Sequence, residues 1–385
     1  MSMAGPMSTL NGTNGTNGTN GTNGTNGTNG TNGTNGFPGY SGWTSNPLLS
    51  TALIRSRRDL IPESPPLPPR FHPRRVFRWA NKGPHHDNLP EPDLPEYVKL
   101  WDANTRFFLS HTELLPGVQF GQSRGTATLH VNQKLVFSIT RPDRDHFEAA
   151  LAKVRSWAQL RDERLPEILT QVAPQWAFWS AIGNLHPERS RFTIELGLCA
   201  LQFAMLVTQR LKHALACPRP VEYDPMLQPV IMTPPYAAFP GGHAVEAVVV
   251  SRLLAALARQ QQPAGQNQAN DWLEQFEALT VRVIENRVVA GLHFPVDGAA
   301  GYVLGDFIAD YVLARCGVGN AAFERAVDGS KFSKESDFTS KDDLYDGEFS
   351  ERKDPVPVDT SPVMQEMWKL AIAEWDAMGF GTGQQ

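Results

Sequence analysis

Residues 287–297 read Arg-Val-Val-Ala-Gly-Leu-His-Phe-Pro-Val-Asp, and this stretch predicts how two helices meet. Gly291 is typical of a helix end, and Pro295 is favoured at the first position of the next helix. His293 therefore lies at a helix N-terminus, where free backbone N–H groups favour an anion. Asp297 could accept a hydrogen bond from one imidazole nitrogen and leave a lone pair on the other. Alternatively, Asp297 caps its own helix, and the two roles are compatible.

A second segment, residues 212–220, reads Lys-His-Ala-Leu-Ala-Cys-Pro-Arg-Pro. A helix can run to about Ala216, and the prolines at 218 and 220 prevent its continuation. Lys212 then lies in the last helical turns, and Arg219 lies on a stiff loop. Taken alone, two such cations are more often surface charges that complement a helix dipole.

The third segment, residues 239–244, reads Phe-Pro-Gly-Gly-His-Ala and precedes an apolar helix. Glycines before a helix start allow the backbone to approach a ligand, and the exposed N–H groups favour an anion. His243 lies in the first turn, where its side chain could reach the same anion. Alone, this segment indicates only a turn at a helix start.

Together, the three segments place three cations and the two candidate histidines, His243 and His293, between residues 212 and 297. The pattern Lys-x6-Arg-Pro, Pro-x-Gly-His and Arg-x5-His-x3-Asp resembles that of a superfamily with three branches. These branches are the type 2 phosphatidic acid phosphatases, the bacterial acid phosphatases and the vanadium-dependent haloperoxidases. The resemblance, with flanking helices from about 145 to 316, implies a helical bundle around phosphate or vanadate.

The resemblance also implies how the anion is bound. Its oxygens would contact three cationic side chains and one backbone N–H group, those of Lys212, Arg219, Arg287 and Gly242. The sequence departs from the usual pattern at Gly241, where Ser is common, and at Asn286, where Ser often precedes the Arg. Loss of the hydroxyl at position 241 removes one donor, worth on the order of 1 kcal/mol.

By the same resemblance, His293 would coordinate vanadium or bond to phosphorus, and Asp297 would orient it. His243 would be the general acid or base. We favour a vanadium-dependent haloperoxidase, which oxidises halide with hydrogen peroxide, because the chain is long and its first motif begins only at Lys212. The segment before His243 also resembles that of haloperoxidases, and Tyr236 and Phe239 are candidates for a halide or substrate pocket or for simple packing.

Two alternatives stay open. The first is a soluble acid phosphatase, a phosphomonoesterase without a cofactor that works through a phosphohistidine at the same site. The second is a helical protein that binds phosphate without turnover, which only the departures at Gly241 and Asn286 favour. Either enzyme would act on small molecules, and the sequence leaves a homo-oligomer open.

The predicted fold class is mainly α, a helical bundle with a small β-hairpin and a disordered N-terminal tract. Residues 1–36 include an Asn-Gly-Thr repeat too poor in apolar side chains to fold. Residues 37–144 form a Pro-rich arm followed by the hairpin, at 126–131 and 134–140. Residues 145–320 are the helical catalytic domain, and residues 321–385 are a charged linker, densest at 328–356, and an amphipathic helix.

Composition limits the other function classes. The formal net charge is −5, so general attraction to nucleic acid is not expected. The three cysteines are too widely spaced for a disulfide framework or a paired metal-ligand motif. We find no secretory signal, and charged residues interrupt the apolar stretches before the roughly 20 residues of a membrane span. We therefore expect a cytoplasmic protein without a membrane span.

Overall fold

The computed structural model describes residues 51, 55, 94–172, 175–261, 268–333, 344–345 and 348–378, without the side chains of 268–271. The predicted tract at 1–36 and the Pro-rich arm up to residue 93, apart from residues 51 and 55, lie outside this range. The chain divides into two compact units, Met1–Arg106 and Phe107–Gln385. In the first unit, a 3₁₀ helix spans Pro95–Leu100, and helix α1 begins at Ala103.

The second unit contains a five-stranded sheet in the order β1-β2-β3-β4-β5. Its strands are β1 Val118–Ser123, β2 Thr126–Val131, β3 Lys134–Thr140, β4 Ala321–Asp328 and β5 Ser350–Pro357. Strands β3 and β4 pair in parallel, whereas the other neighbours are antiparallel. The prediction of a mainly α fold with one small hairpin is therefore wrong, because the fold is mixed α/β.

The predicted hairpin itself is present as β2 and β3. Asn132 and Gln133 form its two-residue turn with φ of 50° and 67°, as expected for a turn that follows the strand twist. The strands that were not predicted, β1, β4 and β5, have weaker strand patterns in the sequence. Five consecutive residues of β5, from Glu351 to Pro355, are exposed, as is typical of a charged edge strand. Its lack of apolar alternation explains why residues 328–356 resemble a linker.

The helices largely follow the predicted pattern. They are α1 Ala103–Thr112, α2 Arg144–Trp157, α3 Arg161–Thr170, α4 Trp176–Gly183, α5 Arg191–Leu215, α6 Pro220–Tyr223, α7 Gly242–Gln260, α8 Gln268–Val289, α9 Pro295–Arg315 and α10 Pro362–Ala377. The sequence pattern from about Pro166 to Ile182 predicts one helix, whereas the structure has two, α3 and α4. Helices α7 and α9 pack so closely that a Cβ atom on Gly301 would lie only 2.4 Å from the Gly241 carbonyl oxygen.

A side chain of helix α10 caps the N-terminus of α5, the helix that contains Lys212. The Glu374 carboxylate accepts hydrogen bonds from the backbone N–H groups of Phe192 and Thr193 at 2.8 and 2.9 Å. A carboxylate at a helix N-terminus satisfies free N–H groups and complements the helix dipole. The predicted apolar stripe of α10 is buried at Met364, Trp368, Ala371 and Trp375.

A buried charge network connects the sheet to the helices behind the candidate site. Asp306 of α9 accepts hydrogen bonds from Arg325 of β4 at 2.6 Å and from the Tyr345 hydroxyl at 2.8 Å. Its second oxygen pairs with Arg252 of α7 at 2.5 Å. Each charge of this network therefore has an opposite partner, as burial requires.

One described helical segment, Arg191–Tyr223, has the length and apolar composition of a membrane span. Within the protein, 78% of its most apolar window is buried. The three cysteines are free and buried, as predicted.

Candidate oxyanion site

The predicted site residues lie at helix ends and in the loops that join them. Lys212 is in the last turn of α5, Arg219 precedes α6, His243 is in the first turn of α7, Arg287 is in the last turn of α8, His293 precedes α9, and Asp297 is in its first turn. Arg219 and His293 are separated by 73 intervening residues, yet the Arg219 Nη1 and His293 Nε2 atoms are 3.3 Å apart. The first and third motifs therefore meet.

The two neighbours of the His293 ring, Asp297 and Arg219, favour the same tautomer of its imidazole. Its Nδ1 atom lies 2.9 Å from Asp297 Oδ2, a carboxylate acceptor, while its Nε2 atom faces Arg219, which can only donate. The proton therefore belongs on Nδ1 and the lone pair on Nε2. Burial and the surrounding cations, first Arg219, hold the pKa of His293 well below its usual range. The imidazole is thus neutral before an anion binds.

Asp297 is fully buried and serves two groups at once. Its Oδ2 atom also accepts a hydrogen bond from the Phe294 backbone N–H at 2.9 Å. Asp297 thus makes both contacts that the sequence suggested: one to the His293 ring and one that caps helix α9. Burial raises the pKa of Asp297, whereas the Phe294 N–H group and the nearby cations Lys212 and Arg219 oppose that rise.

Lys212 and Arg219 are each only 1% exposed and are bound to backbone carbonyl groups. Lys212 Nζ donates to the carbonyls of Ala237 and Ala238, the first at 2.8 Å. Arg219 donates to the Leu292 carbonyl at 3.1 Å and to the Tyr236 carbonyl at 2.9 Å. Burial, followed by repulsion from Arg219, lowers the pKa of Lys212. Neutral carbonyls do not compensate two buried positive charges, so an anion would be stabilised beside them.

The two aromatic candidates differ in position. The Tyr236 ring lies 5.2 Å from the Arg219 guanidinium carbon and 5.7 Å from Lys212 Nζ, within the range of cation–π contacts. Tyr236 is also 43% exposed and faces an open cleft of about 630 Å³, with Lys212 in the same wall. Phe239 is completely buried. Tyr236 is therefore at the site's edge, and Phe239 is in the core.

Arg287 has unused hydrogen-bonding capacity. Its Nη2 atom donates to the Ile168 carbonyl at 3.1 Å and to Gln171 Oε1 at 3.2 Å. Within the described part of the chain, its buried Nε and Nη1 atoms have no hydrogen-bond partner. A buried donor without an acceptor costs about 1–3 kcal/mol, so these atoms favour a ligand that carries acceptors.

His243 faces the same cations. Its Nε2 atom lies 3.0 Å from the Gln171 carbonyl oxygen, so Nε2 carries the proton and Nδ1 the lone pair. Burial, followed by repulsion from Arg287, lowers the pKa of His243 to about 3. A small cavity of about 10 Å³, enough for roughly one water molecule, touches His243, Arg287 and His293. The two imidazoles and the Arg287 guanidinium, which has two nitrogens without a partner among the described residues, thus border one small cavity.

Gly241 and Gly242 differ in the space around them. A Cβ atom on Gly241 would lie 2.8 Å from the Asp297 carbonyl oxygen, which already accepts the Gly241 N–H at 2.7 Å. At Gly242, the nearest atom would be Lys212 Cε at 3.9 Å. The absence of a serine at 241 therefore has a packing reason: the start of α7 is pressed against α9.

We expect Gly241→Ser to weaken the site although it restores the residue common in the superfamily pattern. The added Cβ would displace Asp297, and overpacking of this kind costs about 1–3 kcal/mol. Thermal unfolding and phosphate titration measure both effects. Gly241→Ala is the matched control and should be equally destabilised, because it adds the same Cβ without the hydroxyl. Tighter phosphate binding by the serine variant at unchanged stability would contradict this explanation.

Two residues of the site were missed by sequence reasoning. Gln171 follows α3, outside the three motifs, and no local pattern marks it. Glu246 lies one turn after His243 on α7, and in the sequence it only interrupts an apolar stretch. Burial raises the pKa of Glu246 to about 7, an effect opposed by Lys212 and Arg287.

We expect anion affinity to increase as the pH falls from 8 to 6. Protonation of Glu246 removes a negative charge near the cations, and protonation of Lys212, whose pKa is lowered, adds a positive one, so both effects have the same sign. Sulfate is the suitable probe because its charge is constant in this range. Glu246→Gln should bind sulfate on the order of tenfold more tightly at pH 8 and show a smaller pH dependence. An unchanged pH profile in that variant would exclude Glu246 as a cause.

Residues 195–316 match the sequence profile of the PAP2 superfamily. This match includes all three motifs and helices α7, α8 and α9, and it agrees with the family expected from the sequence. Comparison with curated proteins gives no match. Members of this superfamily are phosphatases or vanadium haloperoxidases, which is consistent with an enzyme. The chain thus contains a PAP2 superfamily domain within residues 195–316.

Proposed function

We propose that the chain is a vanadium-dependent haloperoxidase-like enzyme that oxidises halide with hydrogen peroxide. The observation that carries this proposal is the small cavity bordered by His243, Arg287 and His293, with two guanidinium nitrogens that lack a partner among the described residues. This cavity has no room for a bulky ester. Its donors suit an anion rather than a metal cation.

The side chains fit vanadate as a cofactor. Lys212, Arg219 and Arg287 would bind its oxygens together with the Gly242 N–H group, and the His293 Nε2 lone pair would coordinate vanadium. Arg219 would have to turn away from Nε2, which it contacts at 3.3 Å. When bound, vanadate supplies the Lewis-acid centre that activates hydrogen peroxide for oxygen transfer to a halide.

The protein's own part in this reaction is to position groups and to move protons. Asp297 accepts a hydrogen bond from the His293 Nδ1–H group, which holds the proton on Nδ1 and so keeps Nε2 unprotonated. His243 is neutral at physiological pH, and its Nδ1 lone pair could accept a proton from peroxide as a general base. A bound anion would raise the pKa of His243 because it offsets Arg287, which assists that proton transfer.

A soluble acid phosphatase is the second candidate, and the open cleft beside Tyr236 favours it. This cleft of about 630 Å³ also contains Lys212 and could accommodate the alcohol part of a phosphate ester. His293 Nε2 would then attack phosphorus, and His243, protonated at Nδ1 once the bound anion raises its pKa, would give that proton to the leaving oxygen. Water would later hydrolyse the phosphohistidine and release phosphate.

A paired assay of the purified protein tests both reactions. One arm contains orthovanadate, hydrogen peroxide and bromide and follows bromination of a phenol dye. The other follows hydrolysis of p-nitrophenyl phosphate with and without orthovanadate. A haloperoxidase should be activated by vanadate, whereas a phosphatase should be inhibited by it. Phosphate binding without turnover in either arm would support a non-catalytic protein and contradict both proposals.

The proposal also covers the substrates, partners and cellular location of the protein. We propose small-molecule substrates, no nucleic-acid partner, a cytoplasmic location and no membrane span; self-association is left to measurement. The net charge of −5 and the 78% burial of the most apolar helical window are consistent with these statements. Cell fractionation with alkaline washing tests location, since a protein that stays in the membrane pellet contradicts it. Light scattering measures the oligomeric state.

A further inference from the structure

The Gln171 side chain is buried beside the site but belongs to none of the three motifs. It is 0% exposed and follows the last residue of α3. Its Oε1 atom accepts hydrogen bonds from Asn286 Nδ2 at 2.9 Å and from Arg287 Nη2 at 3.2 Å. Its backbone oxygen contacts His243 Nε2. One residue therefore contacts a histidine and a cation of the candidate site.

These contacts determine which way the amide faces. An amide can be placed in two orientations, and its hydrogen-bond partners decide between them. The atom placed as Oε1 meets a donor from Asn286 and a donor from Arg287, so it has to be the oxygen. The other terminal atom of the amide is therefore the nitrogen, Nε2, which is buried without a hydrogen-bond partner among the described residues.

The amide is also held in place. Asn286 Nδ2 donates to Glu167 Oε2 at 2.8 Å as well as to Gln171, and Arg282 binds the Glu167 carboxylate through two nitrogens at 2.8 and 2.7 Å. Arg164 donates to Asn286 Oδ1 at 3.2 Å. Such a network fixes the amide before any ligand arrives, which lowers the entropic cost of binding.

Three unpartnered donors therefore lie on two residues in direct contact: Gln171 Nε2, Arg287 Nε and Arg287 Nη1. Water could satisfy one or two of them, but several buried donors on two contacting residues beside buried cations favour a ligand with several acceptors and negative charge. Position 241, before the neighbouring helix, contributes no side chain here, since Gly241 has no room for one.

We propose that Gln171 is an additional anion-binding residue, whose Nε2 group donates a hydrogen bond to an oxygen of the bound phosphate or vanadate beside Arg287. Asn286 is a positioning residue that acts through this amide. The proposal rests on the proposed function only in requiring a tetrahedral oxyanion at this site, and it holds for either reaction.

Calorimetric titration of the full chain with inorganic phosphate and with orthovanadate tests the proposal. We expect Gln171→Leu to bind both anions about 10- to 100-fold more weakly, the loss typical of one hydrogen bond to a charged group. Gln171→Glu retains an acceptor for Asn286 and Arg287 but replaces the donor with an oxygen. It should therefore weaken binding at pH 8 while the network stays intact. Leu169→Ala, on the exposed side of the same helix, is the matched control and should bind like the wild type.

The outcomes separate this inference from the proposed function. If the wild type binds neither anion, the oxyanion site itself is refuted. If the wild type binds and both Gln171 variants bind equally well, Gln171 makes no contact with the anion and only this inference fails. If Gln171→Leu is too unstable to measure, Gln171→Glu decides alone. Weaker binding by that variant at an unchanged melting temperature supports a direct contact.

Discussion

The His293→Ala variant should lose turnover by about 10³-fold or more while its fold is retained. This imidazole offers a lone pair toward the anion, and the Arg219 nitrogen 3.3 Å from it marks where the ligand would lie. Without it, vanadate would lack its protein ligand and a phosphate ester its nucleophile. The expected loss is therefore the same for both candidate reactions. Initial rates in whichever assay is active measure it.

His130→Ala provides a matched control for this variant. His130 lies on β2, outside the candidate site, and should keep wild-type rates. Circular dichroism and thermal unfolding of both variants show whether the fold is retained. If His293→Ala retains a tenth or more of the wild-type rate, His293 does not form the proposed bond, whichever reaction the protein performs.

Asp297→Ala should lower kcat by about 10²- to 10⁴-fold, the range seen when the group that orients a catalytic histidine is removed. The Asp297 carboxylate lies 2.9 Å from His293 Nδ1 and also accepts the Phe294 N–H. The alanine variant would leave both donors unpaired and the imidazole free to rotate or to change tautomer. The loss should appear in kcat more than in KM, because the cations that bind the anion are unchanged.

Asp297→Asn refines this prediction, because its amide oxygen can still accept both hydrogen bonds without the negative charge. We expect an activity between those of the wild type and Asp297→Ala, and a helix cap that is largely retained. Asp162→Asn, at an exposed position on α3, is the control. Wild-type kcat in Asp297→Ala would show that His293 needs no orienting carboxylate.

Sequence reasoning could name the candidate site residues because they occupy positions that local rules mark. Pro295 begins α9 and Gly291, with φ of 80°, follows α8, so the stretch between them had to present His293 at a helix N-terminus. The match of residues 195–316 to the PAP2 superfamily confirms the predicted family. The roles of the individual residues stay predictions for the variants above.

The sheet could not be predicted because its outer strands lack the usual signal. Strand β5 is exposed at six of its eight residues, so charge density rather than alternation dominates its sequence. Its partner β4 pairs with β3 across more than 180 residues, a contact that no local pattern encodes. Fold class was therefore wrong although the helices were largely right.

Gln171 and Gly241 show a second limit of sequence reasoning. Gln171 contacts the site only because α3 packs against α8, where Glu167 and Asn286 meet. Gly241 departs from the common pattern because Asp297 occupies the space that a Cβ atom would need. Both facts depend on how helices pack, and neither follows from spacing along the chain.

The claim on which these proposals depend is that three distant segments bind one tetrahedral oxyanion together. A crystal structure of the protein soaked in orthovanadate tests it directly. We predict a single vanadate bonded to His293 Nε2, with oxygens in hydrogen-bond contact with Lys212, Arg219 and Arg287. Vanadate bound elsewhere, or at the site without any contact to His293, would contradict the account.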